Sequence, residues 1–322
     1  MRRLLEATIG QITMYMLVRS SLALIFGFAV LLSVLDILPY DPFHLSLSLL
    51  LYIIVAVVFN HFFGRLLGLK PHIDSAFFTS MILFFVLAPV DSRIEYINAL
   101  AVVVLAIGSK YLLTIRGRHI FNPVAAGAVT AGLLGIGSVG WWVATPSLFP
   151  VVALCGALIL YKTRHLQIGL TFLAVAASII ITRGMIDGDS FVDMLSLVML
   201  SFPLVFFAGF MLSEPLTLPP RKLQQFMVVG IVGVLVGFAP LVGDFKVTPQ
   251  VALLVGNILA FYFGQRGAMI LSFVGKKQLS PSSYELTFRP ERGIRFAAGQ
   301  YIELSLPHKR ADFRGYRRYF SI

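Results

Sequence analysis

SLSLLLYIIVAVVFNHFFG, residues 46–64, contains no Lys, Arg, Asp or Glu. As a helix rising about 1.5 Å per residue, such a stretch matches the roughly 30 Å hydrocarbon core of a bilayer. It stops at Arg65. Read as a membrane span, it sets the terms for the rest of the chain. Similar apolar runs recur at 18–37, 75–90, 96–114, 121–138, 148–161, 166–182, 195–213, 224–243 and 250–265. Several fall short of about 20 residues, and 75–90 and 148–161 are interrupted by proline, so bent or half-helices are expected there.

Composition agrees. Of 322 residues, 58% are hydrophobic and 13% charged, against about 25% charge in soluble domains. The opening MRRLLEATIGQITMYMLVRSS lacks a small-residue cleavage site after its apolar run, so no cleaved signal peptide is expected. A single cysteine excludes an internal disulfide and any one-chain cysteine metal cage. The net charge of +11 marks membrane orientation rather than a nucleic-acid partner. With the N-terminus inside, the inner loops hold Arg2, Arg3, Arg19, Arg65, Lys70, Lys110, Arg116, Arg118, Lys162, Arg164, Arg221, Lys222 and Arg266. Only Glu6, Asp74 and Glu214 oppose them there. The outer loops hold Asp36, Asp41, Asp91, Glu95, Asp187, Asp189, Asp193 and Asp244, with Arg93, Arg183 and Lys246 as their only basic residues. This bias predicts ten spans with both ends cytoplasmic. MILFFVLAPVDS (81–92) and AGFMLSEPLTLPP (208–220) end spans five apart, as an inverted five-plus-five repeat requires. The expected fold is an all-α polytopic membrane protein over residues 1–266, with a partial antiparallel β-barrel over 267–322.

Three stretches carry chemistry. In SKYLLTIRGRHIFNPVAAGAVTAG (109–132), Lys110, Arg116, Arg118 and His119 precede a helix that Asn122 can cap and Pro123 can open. Basic residues at a helix N-terminus suit a phosphate; the same pattern also suits a positive-inside loop before a tightly packed helix. In MLSEPLTLPPRK (211–222), Glu214 lies close to hydrocarbon, where a carboxylate is either functional or paired with a nearby Arg or Lys. In GSVGWWVATPSLFP (137–150), Trp141 and Trp142 fit an interfacial aromatic belt. Cys155 reads as a small buried hydrophobe.

The 109–123 and 211–220 stretches, with the ten-span plan, resemble the membrane flavin subunit shared by the sodium-pumping NADH:quinone oxidoreductase and the Rnf electron-transport complex. The resemblance covers roughly residues 10–270, and Arg116–Pro123 is its most specific part. It implies FMN or riboflavin in the membrane domain, other subunits of an electron-transport complex, and possible coupling to ion translocation. That family links FMN to a threonine in Ser-Gly-Ala-Thr. Here Trp142-Val143-Ala144-Thr145 keeps only the Ala and Thr, which makes Thr145 the candidate attachment site; a non-covalently held flavin, or none at this position, are the alternatives.

After Arg266 the pattern changes to short alternating runs broken by Ser-Pro, Pro-Glu-Arg-Gly and Pro-His, which predicts strands near 268–277, 283–289, 300–306 and 317–322. Ala298-Gly299-Gln300-Tyr301 and Arg318-Tyr319-Phe320-Ser321 are similar to the Pro-Gly-Gln-Tyr and Arg-x-Tyr-Ser segments of the ferredoxin–NADP+ reductase family. That likeness implies FAD, with Arg318 on its pyrophosphate, Phe320 against the ring, Ser321 near the flavin N5, and Tyr301 at the site. The register Arg317-x-Tyr319 is the less favoured alternative. The family's remaining barrel and nicotinamide domain have no counterpart in these residues, so a truncated chain is expected.

Together these readings predict electron transfer in a bacterial cytoplasmic membrane. Cytoplasmic NAD(P)H would reduce FAD, and electrons would pass through the membrane domain to a quinone or an extracytoplasmic flavoprotein. A transporter or channel without redox activity, or a membrane anchor for a reductase, are the competing readings.

Overall fold

A computed structural model describes residues 13–69, 71, 73–115, 118–136, 139–214, 217–242, 245–264, 269–293, 296, 299, 301–305 and 317–321. The chain divides into a helical unit, residues 14–115 and 119–265, and a second unit that includes the tail from residue 266.

Every apolar segment of the sequence becomes helix, in order: α1 (Met14–Val34), α2 (Pro42–Leu66), α3 (Ile73–Val86), α4 (Arg93–Leu112), α5 (Pro123–Leu133), α6 (Phe149–Lys162), α7 (Leu166–Ile186), α8 (Phe191–Leu200), α9 (Leu204–Phe206), α10 (Lys222–Phe238) and α11 (Pro249–Phe263). The stretch 46–64 lies inside α2. Asp41 caps that helix by accepting from the His44 N–H at 2.9 Å, and Pro42 occupies its first turn. α4 opens on a capping box of Ser92 and Glu95.

Among the described residues, only α1, α2, α4 and α7 are long and apolar enough to cross a membrane. α8 and the segment Leu204–Leu212 that begins with α9, bent by 48°, supply a fifth if counted as one span. The other five helices have 10–17 residues. Among the described residues, four or five helices rather than the expected ten therefore have crossing length. Proline is the physical reason. Pro89 follows α3, Pro123 and Pro249 open α5 and α11, Pro150 sits in the first turn of α6, and Pro219-Pro220 precede α10. Proline starts a helix well and cannot continue one.

α9 runs directly into a π-helix, Phe207–Leu212, all of whose residues are buried. Gly209 lies on Gly156 of α6, where an added Cβ would come within 2.8 Å of the Gly156 Cα.

Two short hairpins interrupt the helices: β1 (Thr114–Ile115) with β2 (Arg118–His119), and β3 (Leu241–Val242) with β4 (Phe245–Lys246). The sequence reading missed both, extending one apolar run to residue 243, whereas α10 ends at Phe238 and Ala239 turns left-handed at φ 42°. The hairpins are local copies of one another. The Ile120 N–H bonds to Leu113 O at 3.2 Å and the Val247 N–H to Pro240 O at 2.9 Å. Each hairpin leads into a proline-initiated helix whose cap residue, Asn122 or Thr248, accepts from the N–H three residues on.

In the tail, β5 (Leu271–Ser280) pairs antiparallel with β6 (Ser283–Pro290), with register shifts between Phe273 and Gly275 and between Gln278 and Ser280. β7 (Tyr301–Ser305) pairs antiparallel with β8 (Arg317–Ser321). The expected strands are present, but among the described residues they form separate two-stranded sheets and no closed barrel.

Candidate functional site

Four residues singled out from the sequence meet in the helical unit. Asn122, the cap of α5, is 3% exposed. Its side-chain oxygen accepts from the Ala125 N–H at 3.2 Å, which leaves its Nδ2 free to donate to Glu214 Oε2 at 3.0 Å. Glu214 sits just past the π-helix. Its other oxygen lies 3.8 Å from His119 Nε2, beyond hydrogen-bond range, with the two side chains 26% and 20% exposed. His119 Nε2 is enclosed and makes no hydrogen bond. Lys110, in the last turn of α4, donates to Ser75 O and to Ser75 Oγ at 2.6 and 3.1 Å, and Glu214 is within its electrostatic reach.

Asn257, in the middle of α11, completes the group. Its Oδ1 accepts from the buried Asn122 N–H at 2.7 Å. Hydrogen bonds thus tie the Asn122 cap of α5 to a side chain of α11 and to Glu214 past the broken helix, with His119 of β2 beside them. Asn257 and Ser75 were missed from sequence. The available signal was a lone asparagine in an apolar run, which in lipid seeks a partner on another helix. Asn60 of α2 follows the same rule and accepts from the Tyr111 hydroxyl at 2.8 Å.

The sequence suggested a phosphate at the start of α5. The structure puts the chain's own Glu214 carboxylate on the capping residue there, supplying the negative charge that a helix N-terminus favours. Arg116 lies outside the described residues. Arg118 lies in β2, but its side chain is outside them.

His165, which precedes α7, points Nδ1 at Ser213 O, 3.2 Å away and one residue from Glu214. Burial pushes its pKa below the ordinary 6.5, and the Ser213 carbonyl partly opposes that shift.

Thr145 is elsewhere. Its Oγ1 is enclosed without a hydrogen bond, beside a crevice formed with Phe149, Val152, Phe202, Pro203 and Phe206. The crevice measures about 10 Å³, room for about one water, whereas ligand clefts hold roughly 300 Å³ or more. A flavin does not fit at Thr145 in this arrangement. Nor does Trp142 form a belt: it is 3% exposed and donates its Nε1–H to Phe84 O at 2.6 Å.

In the tail, antiparallel pairing sets Tyr301 opposite Ser321, Ile302 opposite Phe320 and Leu304 opposite Arg318. Side chains alternate along a strand, so Tyr301 and Ser321 share one face and Phe320 takes the other. Phe320 is 48% exposed, and Ser321 is also exposed. The Arg318 side chain and Gln300 lie outside the described residues.

Among the described residues, no group of three or more His, Cys, Asp or Glu could hold a metal. Cys155 is buried, its thiol 3.9 Å from Ser21 O. No protein-family model matches the chain, and no curated protein matches it.

Proposed function

We propose that the chain is part of a membrane-embedded, flavin-dependent electron-transfer protein, with cytoplasmic NAD(P)H as donor and a quinone or extracytoplasmic flavoprotein as acceptor. The observation that carries this reading is the pairing of β7 with β8. It sets Tyr301 on the rung of Ser321 and Ile302 on that of Phe320, bringing together two segments that each resemble a flavin-binding motif. Bound FAD would supply hydride acceptance and one-electron release. The chain's own residues would hold it: Phe320 offers a ring face, Ser321 a hydroxyl, and Arg318 a position on the same strand for a pyrophosphate-binding guanidinium. In the membrane body, Glu214, Asn122, Asn257 and His119 offer a proton position near the inner face, where charge arriving with electrons could be balanced. Ten crossings, an inverted five-plus-five repeat, both ends in the cytoplasm and a bacterial cytoplasmic membrane belong to the same proposal. The duplicated hairpin and proline-initiated helix support the repeat.

The test is flavin content and reduction. The chain, extended through any further coding sequence and purified in mild detergent, should carry about one FAD that NADH or NADPH bleaches. Phe320→Ala with Ser321→Ala should release it. A preparation that takes up no FAD sinks the proposal. The duplicated half-helices also favour a transporter. Solute uptake in vesicles without any nicotinamide dependence would decide for that reading.

A further inference from the structure

α10 buries Val228, Val229, Val232, Gly233, Val236 and Gly237 against the body. Its opposite side forms an open apolar groove of about 430 Å³ lined by Phe226, Met227, Gly230, Ile231, Val234 and Leu235. Gly230 makes the hollow, since a Cβ there would meet nothing within 4 Å. Met227, Ile231 and Val234 are 40–49% exposed, as a face turned to acyl chains would be.

The foot of the groove is chemically different. One turn before Phe226 the helix begins at Arg221-Lys222, both exposed, and among the described residues neither forms an ion pair. The helix start has no side-chain cap, so its first N–H groups are open to an anion. An apolar channel one helix long with two unpaired cations and an uncapped N-terminus at one end has the polarity of a single lipid: chain along the groove, anionic head at its foot.

We propose that this groove binds one anionic phospholipid, its phosphate held by Arg221, Lys222 and the first turn of α10, and one acyl chain lying over Gly230. Basic residues at the cytoplasmic end of a membrane helix attract anionic headgroups in this way. The site reaches the Glu214 loop, because Gln225 Nε2 donates to Pro219 O at 2.9 Å and the Thr217 N–H to Glu214 O at 3.1 Å. The bound lipid would hold that loop in place.

Native mass spectrometry of the full chain in neutral detergent tests this, with phosphatidylglycerol titrated against phosphatidylcholine of the same chains. The wild type should take its first phosphatidylglycerol more tightly than phosphatidylcholine. Arg221→Gln with Lys222→Gln should weaken that first adduct about 25-fold, fivefold for each charge, and leave phosphatidylcholine unchanged. Gly230→Leu, whose Cβ would meet nothing within 4 Å, should fill the groove and weaken that adduct while both cations remain. Equal affinity for the two lipids in the wild type, or unchanged phosphatidylglycerol binding in both variants, overturns the proposal.

Discussion

At the scale of single residues, the charged cluster depends on an uncharged side chain. Asn257 Oδ1 is the acceptor for a buried N–H, that of Asn122, and the fixed Asn122 then presents its amide to Glu214. Asn257→Leu keeps the branched shape in a somewhat larger side chain and removes the acceptor. Leaving that N–H unsatisfied should cost about 1–3 kcal/mol, read as a lower unfolding midpoint in detergent. Asn257→Asp, which keeps an acceptor oxygen, should lose less. An Asn257→Leu variant as stable as wild type would show that the bond contributes nothing. His165 gives a pH signature. Its folded pKa lies below the ordinary value because burial disfavours the charged ring. Between the folded value and 6.5 the unfolded chain binds more protons, so stability rises with pH there. The contribution is complete above 6.5 and is lost as pH falls through the folded value. His165→Asn, which can still donate to Ser213 O, should flatten that slope when unfolding is followed from pH 7.5 to 5. An unaltered slope would assign it to another group.

At the scale of elements, the π-helix is set by one close contact. Gly209 approaches the Gly156 backbone so closely that a Cβ at 209 would lie 2.8 Å from Gly156 Cα, while a Cβ at 156 would meet Val205 O at an ordinary 3.6 Å. Gly209→Ala must push α6 and the broken helix apart and shift Ser213 and Glu214 at the end of the π-helix. Gly156→Ala need not. The first should therefore destabilise the protein clearly more than the second in parallel melts, and equal effects would contradict this packing. The asymmetry was invisible in the sequence, where both are glycines in apolar runs. Helix positions were legible because lipid demands long uncharged runs, and Asn122-Pro123 was legible because a cap and a proline act locally. The hairpins were not, since Leu241 and Val242 read as apolar span until Ala239 turns left-handed. Glu214 stood out in sequence as a costly charge. Its partner Asn122 was named only as a helix cap, because a sequence separation of 92 leaves no local trace.

At the scale of the molecule, the proposed ten crossings have to be reconciled with four or five helices of crossing length among the described residues. α3 shows how. Its 14 residues rise about 21 Å, short of a roughly 30 Å hydrocarbon core. The chain then continues outside the helix through Leu87, which bridges Val139, to Val90. Four residues would add about 13 Å if fully extended, enough in sum to reach the far side. Non-helical backbone at that depth is tolerated only where protein satisfies it. Here the Gly140 and Trp141 N–H groups bond to Val86 O at 3.0 and 2.9 Å, and Trp142 Nε1 to Phe84 O. A short helix whose last carbonyls are satisfied by protein and whose non-helical continuation is long enough when extended can thus serve as a full crossing. If it does, Asp91 emerges opposite Lys162 and Arg164. The single native cysteine is buried, so single-cysteine variants on a Cys155→Ala background can be labelled in intact cells with a thiol reagent that does not cross membranes. Asp91→Cys and Asp189→Cys should label from outside, and Arg164→Cys only after permeabilisation. If Asp91→Cys is protected as Arg164→Cys is, α3 re-enters rather than crosses, and both the ten-span topology and the inverted repeat fall with it.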